Sequence, residues 1–151
     1  MHVRGGQFYR WAVSGWVHFD GPEQAEARRL LDLPYRLSAA VAAEYADAGF
    51  TTVVQDNIYG QDVVAWLERA GQRRKHLVVL RPAVATLHTR HEARRDATGE
   101  VAYRGGYTPE LNDRDLATTP RTLGLWLDTS AQPAEETVAE ILARRNEAVV
   151  Q

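Results

Sequence analysis

The sequence contains no cysteine and only one lysine, Lys75, among its 151 residues. Without thiols the chain cannot form a disulfide, a thiolate zinc site, an iron–sulfur cluster or a cysteine nucleophile. It also lacks an N-terminal apolar leader and any run close to the roughly 18 apolar residues of a membrane-spanning helix. We therefore expect a cytoplasmic protein that does not interact with a membrane.

Neither positive nor negative charge is in clear excess. The 18 basic and 20 acidic residues give a net charge of -2, and the arginine pairs are scattered rather than gathered into a stripe. These features argue against a nucleic-acid partner. With 44% hydrophobic and 25% charged residues, the composition is that of one ordinary domain, so we expect a single domain over 1–151.

Three short apolar runs predict β-strands at 51–55, 76–80 and 123–127, and a stub of strand is expected at 2–3. Runs that are apolar on both faces are typical of a parallel sheet buried between helices. Helices are predicted at 7–13, 22–31, 37–48, 61–70, from 84 to about 91 and from 133 onward. The fold class predicted from this alternation is α/β, with a parallel sheet flanked by helices.

Two of these helices carry clear apolar stripes. Leu37, Val41, Tyr45 and Ala48 recur at helical spacing, and Gly49 follows where a left-handed residue would end the helix. In the last helix, the stripe consists of Val138, Ile141 and Leu142. We expect both stripes to face the core.

Polar residues follow two of the predicted strands. Asp56 directly follows the first, at the edge of an α/β sheet where a carboxylate can hold Mg²⁺. A loop carboxylate that caps the next turn is the plainer interpretation. Asp128, Thr129 and Ser130 follow the third strand, where they suit either a ligand-binding loop or the cap of the next helix.

Arginines cluster further along the chain. Arg90 and Arg94 stand one helical turn apart, ahead of a glycine-containing segment at 96–116 that is predicted to be mobile. Guanidinium groups in such a place can neutralise charge on a transferred phosphoryl group. A solvated helix end, paired with nearby acids, would show the same pattern. His88 and His91 lack a third ligand of suitable spacing for zinc.

Several segments together resemble the chloramphenicol-phosphotransferase-like group of P-loop kinases. They are His-Val-Arg-Gly-Gly-Gln-Phe at 2–8, Ala-Gly-Phe-Thr-Thr-Val-Val-Gln-Asp at 48–56, Leu-Val-Val-Leu-Arg-Pro at 77–82, Arg-His-Glu-Ala-Arg at 90–94 and Thr-Pro-Arg-Thr-Leu-Gly-Leu-Trp-Leu-Asp-Thr-Ser at 119–130. The last is the most specific, and the likeness covers almost the whole chain.

The resemblance implies transfer of the γ-phosphoryl group of ATP to a small-molecule hydroxyl. ATP and Mg²⁺ would be the cofactors, with Asp56 as metal ligand and Arg90 and Arg94 as catalytic residues. The loop Asp128, Thr129 and Ser130 would lie beside the nucleotide base, and 96–116 would form the lid.

Two features of the family pattern are missing. The G-x-x-x-x-G-K-[ST] loop that cradles phosphates, and the strand before it, do not occur in this sequence. Gly6 also occupies the position where the family has an acidic residue suited to accept the substrate proton. We therefore expect a P-loop-kinase-like domain that is truncated or diverged at its N-terminus and inactive in this form. The alternative is a non-catalytic remnant that acts as a binding module.

Overall fold

The computed structural model describes residues 1–17, 22–103 and 106–150. It is a mixed α/β structure with six helices and six short strands in the described part. In chain order these are β1 His2–Arg4, α1 Gly6–Trp11, α2 Gln24–Asp47, β2 Val53–Gln55, α3 Gln61–Arg69, β3 Lys75–His76, β4 Val78–Leu80, α4 Val84–Thr98, α5 Pro109–Leu116, β5 Leu125–Leu127, α6 Ala134–Ala143 and β6 Val149–Val150. Among the described residues, no helix is both long enough and apolar enough to cross a membrane.

The chain divides into two compact units, Met1–Gln72 and Arg73–Gln151. The first unit is built on a parallel pair in which Val3 of β1 lies opposite Val54 of β2. The predicted strands at 2–3 and 51–55 are therefore confirmed. The N-terminal amino group donates to the carbonyl of Thr51 at 2.6 Å, which holds the start of β1 in register.

Helix α2 differs from the prediction in its length. The two helices expected at 22–31 and 37–48 form one helix of 24 residues, with Pro34 inside it. Proline lacks only one backbone donor, so a helix with many other hydrogen bonds can continue through it at a local cost. Gly49 follows the helix with φ of +90° and ends it as predicted.

The buried face of α2 is also not the expected one. Leu37 and Tyr45 are 41% and 39% exposed, whereas Ser38 and Ala39 are fully buried. The small side chains allow α3 to approach closely, and Trp66 of α3 donates its indole N–H to the Ser38 hydroxyl at 2.9 Å. The predicted core stripe of α2 is thus wrong, because close helix packing favours small residues over larger ones at this face.

The second unit contains two strand pairs. Val79 of β4 lies opposite Trp126 of β5 in a parallel pair, which confirms the strands predicted at 76–80 and 123–127. An antiparallel pair of β3 and β6 was not predicted, because strands of two residues carry no readable pattern. Within the described residues, each pair is a separate two-stranded sheet rather than part of one parallel sheet.

The core of the second unit is formed by buried apolar residues of β5 and the segment before β6. Leu125, Leu127 and Ala148 are buried, and Ile141 of α6 packs against them. Val138 and Leu142 are 54% and 62% exposed, so only part of the predicted α6 stripe reaches this core.

The segment predicted as a lid, 96–116, includes the end of α4 and the whole of α5, while Arg104 and Gly105 lie outside the described residues. Two side-chain contacts hold α5. Arg81, which follows β4, contacts Asp113 through two hydrogen bonds of 2.6 and 2.9 Å. His88 Nε2 of α4 lies 2.6 Å from Glu110 Oε1, and this contact is the main reason why the pKa of Glu110 falls to about 2.

Candidate functional site

Asp56 lies at the carboxyl end of β2, where its side chain is half-buried. One carboxylate oxygen accepts a hydrogen bond of 2.8 Å from the backbone N–H of Asn57. The other oxygen, Oδ2, is buried without a hydrogen-bond partner. Burial raises the pKa of Asp56, and the bond from Asn57 opposes this shift. A buried carboxylate with one unused oxygen is a costly arrangement that a cation would relieve.

Gly5 makes room for this carboxylate. It follows β1 with φ of -56°, and its backbone N–H donates to the carbonyl of Gln55 at 2.9 Å. A Cβ atom at Gly5 would overlap the Asp56 side chain, whereas one at the neighbouring Gly6 would meet nothing within 4 Å. The glycine at position 5 therefore allows two parallel strands to end with a carboxylate between them.

The described residues contain no group of three or more His, Asp or Glu side chains arranged to hold a metal ion. Mg²⁺ in phosphoryl-transfer sites needs only one or two protein carboxylates, because phosphate oxygens and waters complete its shell. Asp56 is a single carboxylate of this kind, and its unpartnered Oδ2 atom packs against Gly5. His88 and His91 belong to no such group in the described part of the chain.

Arg90 of α4 is bound to the loop that follows β5. Its guanidinium donates to the carbonyl of Thr129 at 2.5 Å, to the Thr129 hydroxyl at 3.2 Å and to the carbonyl of Gln132 at 3.3 Å. Thr129 is buried. The structure thus brings together a predicted catalytic residue and a predicted nucleotide-binding loop, and it gives Arg90 the task of holding that loop.

The same loop is tied to the start of α4. The Ser130 hydroxyl accepts a bond of 2.7 Å from the backbone N–H of Ala83, and it donates to the carboxylate of Asp128. Asp128 also accepts from the Ser130 backbone N–H at 2.9 Å, and these bonds lower its pKa. The loop is therefore held from both sides in a defined conformation, with an ionised carboxylate at its exposed edge.

A cavity of about 340 Å³ opens beside this loop, lined by Arg81, Arg121, Trp126, Leu127 and Asp128. The guanidinium carbon of Arg121 lies 4.2 Å from the centre of the Trp126 ring, a cation–π contact. The cavity lies where β5 ends, the edge at which ligands bind in parallel sheets. It combines a flat aromatic surface, guanidinium groups and one carboxylate.

Arg94 contrasts with Arg90. It lies one turn further along α4 and is exposed. Its charge lowers the pKa of Tyr103, which burial raises more strongly. The ring of Tyr103 also packs edge-on against His91, with centroids 5.1 Å apart. Arg94 therefore keeps its guanidinium at the surface, next to an aromatic pair.

Sequence reasoning did not assign Arg81, Arg121 or Trp126 to a site. Arg81 directly follows β4 as Asp56 follows β2, so its position after a strand could have marked it as a candidate site residue. Arg121 and Trp126 are brought together by the turn before β5, where Gly124 has φ of +72°. No local pattern indicates that contact.

No protein-family model matches this chain, and neither a curated protein nor a solved structure is significantly similar to it. The resemblance to P-loop kinases therefore rests on the sequence segments quoted above. The activity and the roles of the site residues are therefore proposals that rest on the geometry of the site.

The two arginines of α4 differ in a way that stability measurements can detect. We expect Arg90→Ala to lower the free energy of unfolding by about 2 kcal/mol, because hydrogen bonds from a charged donor to a partly buried loop contribute roughly 1.5 to 3 kcal/mol. The matched change Arg94→Ala should alter it by no more than about 0.5 kcal/mol, as is usual at the surface. Urea denaturation followed by circular dichroism gives both values. Equal losses in the two variants would contradict the anchoring role of Arg90.

Proposed function

We propose that this chain is part of an ATP-dependent phosphotransferase that acts on a hydroxyl group of a small molecule. It would contribute the lid and the loop that lies beside the nucleotide base. The observation that carries the proposal is the contact between Arg90 and the loop after β5. It joins two segments to which the kinase resemblance gives neighbouring roles, the arginine helix and the nucleotide-binding loop.

The cavity beside the loop would take the nucleotide. A purine ring is planar and can stack where Arg121 now covers Trp126. The Asp128 carboxylate, kept ionised and oriented by Ser130, would accept hydrogen bonds from the sugar or the base. Arg90 would act as a positioning residue, because three of its hydrogen bonds hold the loop itself.

Arg94 is the better candidate for contact with the phosphates. Its guanidinium is exposed, and no part of the loop engages it. A planar, permanently charged fork suits the oxygens of a phosphoryl group, whose charge must be neutralised during transfer. The proposal thus divides the two predicted catalytic arginines into a positioning residue and a phosphate-binding residue.

Asp56 would be the carboxylate that holds Mg²⁺, and its Oδ2 atom, which packs against Gly5, would have to turn outward to reach the ion. When bound, such an ion would supply positive charge that stabilises phosphate oxygens. The G-x-x-x-x-G-K-[ST] motif does not occur among these 151 residues, so backbone donors for the β- and γ-phosphates must come from outside them. We expect the chain by itself to show no ATP turnover.

The test uses the chain and a longer version that begins with an upstream strand and Walker loop, if the reading frame encodes them. We expect Mg-ATP binding and ADP release only with the longer protein. Arg94→Ala should weaken binding roughly 10- to 100-fold, which is the loss of one charge-assisted hydrogen bond. Arg95→Ala is the matched control, since Arg95 is an exposed neighbour that pairs with Asp96 at 3.3 Å.

Two results would contradict the kinase proposal. If the longer protein does not bind Mg-ATP, or if both arginine variants behave alike, the kinase proposal is wrong for this segment. If no upstream loop is encoded and the chain alone binds a nucleotide without hydrolysing it, the chain is a binding module. Isothermal titration calorimetry and an ADP-release assay distinguish these cases.

A further inference from the structure

Helix α2 exposes a row of apolar side chains along one side. Leu33, Leu37, Val41 and Tyr45 recur every fourth residue, and Leu33, Leu37 and Tyr45 are 40%, 41% and 39% exposed. Phe50, 56% exposed, continues the row through an edge-on contact with Tyr45, with centroids 5.7 Å apart. A continuous apolar ridge of this kind on a surface helix usually marks an interaction site.

A row of charged side chains runs beside the ridge. Arg36 and Glu44 are exposed and each directly precedes a ridge residue, so they lie on the same side of it. Their charges are opposite, with the positive one toward the N-terminal half and the negative one toward the C-terminal half. Arg36 already lies 2.9 Å from Asp32 on its own helix.

This arrangement is self-complementary. If a second α2 packs against the first in the antiparallel direction, Leu33 meets Tyr45 of the other copy and Leu37 meets Val41. Groups on one side of the ridge then face each other, because the two-fold axis keeps that side in common. Arg36 of each copy comes opposite Glu44 of the other, whereas a parallel two-fold dimer would place the two Arg36 side chains on opposite sides of the seam and would pair neither with Glu44.

We propose that this chain forms a homodimer through the α2 ridge, with the two helices antiparallel about a two-fold axis at the level of residue 39. Ridges of residues four apart are the elements that interdigitate in the commonest class of helix packing. The interface lies within the first unit and uses none of the residues assigned to the phosphotransferase site. The proposal therefore does not depend on the proposed function.

The first experiment is sedimentation velocity over a range of protein concentrations. We expect wild-type protein to dimerise and Leu37→Glu to remain monomeric with an unchanged circular dichroism spectrum. Val13→Glu is the matched control, because Val13 is 96% exposed and lies outside α2. A monomeric wild type, or an equal effect of both substitutions, would overturn the proposal.

The charges provide a test of orientation. Arg36→Glu and Glu44→Arg should each weaken the dimer roughly tenfold, since each loses two exposed ion pairs in the symmetric complex. The double variant re-forms both pairs and should recover wild-type affinity. If the single substitutions acted by destabilising α2, the double variant would not recover affinity. A double variant that dimerises more weakly than either single variant would therefore contradict the antiparallel arrangement.

The absence of native cysteine permits a direct geometric test. In the antiparallel dimer, two copies of Ala40→Cys lie within about 3 Å of each other along the helix axis, whereas two copies of Leu33→Cys are about 18 Å apart. Under mild oxidation we expect the first variant to form a disulfide-linked dimer and the second not to. Cross-linking of both would indicate parallel helices, and cross-linking of neither would exclude the interface.

Discussion

Gly5→Ala is expected to lower the free energy of unfolding by about 2 kcal/mol, because an added methyl group must displace the Asp56 carboxylate from its place between the strands. The new Cβ would overlap three side-chain atoms of Asp56, including its Cβ. Backbone strain does not contribute, since Gly5 has helical dihedral angles that alanine adopts freely. Chemical denaturation measures the loss, and hydrogen exchange should place it in β1 and β2.

Gly6→Ala is the matched control, because the same methyl group at that position meets open space. Gly6 is the first residue of α1, where alanine is the better helix former, so stability should be unchanged or raised by about 0.5 kcal/mol. In the Asp56→Gly background, Gly5→Ala should cost much less. A full cost in that background would show that Asp56 is not the cause.

Gly124→Ala is expected to destabilise the second unit by about 3 kcal/mol, the sum of a left-handed conformation and a backbone overlap. Gly124 has φ of +72°, and an added Cβ would run into the carbonyl oxygen of Leu77. That oxygen accepts the hydrogen bond of 2.9 Å from Leu125 that opens the β4–β5 pair. The cavity beside Trp126 should be distorted as well.

Gly99→Ala separates the two contributions. Gly99 has nearly the same dihedral angle, φ of +71°, but nothing lies within 4 Å of an added Cβ. This substitution should lower the free energy of unfolding by about 1 kcal/mol, which is the cost of the left-handed conformation alone. Thermal and urea denaturation of the two variants side by side give the difference. If Gly99→Ala is as damaging as Gly124→Ala, the contact with Leu77 is unimportant.

Local features of the sequence predicted much of the secondary structure. The apolar runs that became β2, β4 and β5 were visible as continuous β-branched and aliphatic residues. Burial on both faces was not confirmed for β2 and β4, since Val53 and Leu80 are 59% and 47% exposed. Gly71 follows α3 with φ of +86°, and Val63 and Leu67, four residues apart, are its buried residues. These signals are short-range, so they do not depend on how the elements pack.

Candidate site residues could be chosen from the sequence only by their place after a strand or on a helix. Asp56, Arg90 and Asp128 were found in that way. The sequence could not show that Arg90 is occupied by the carbonyls of Thr129 and Gln132, because these contacts join residues 39 and 42 positions apart.

The sequence by itself determined the α/β class, the positions of β1, β2, β4 and β5 and the ends of α2 and α3 at glycine, because glycine and apolar runs act on their immediate neighbours. Only the tertiary structure decided which face of α2 is buried. Close contact with α3 selects small residues such as Ser38 and Ala39 and leaves Leu37 outside. It also decided that Arg90 holds a loop while Arg94 stays at the surface, since helical spacing is the same for both and only the packed partner differs.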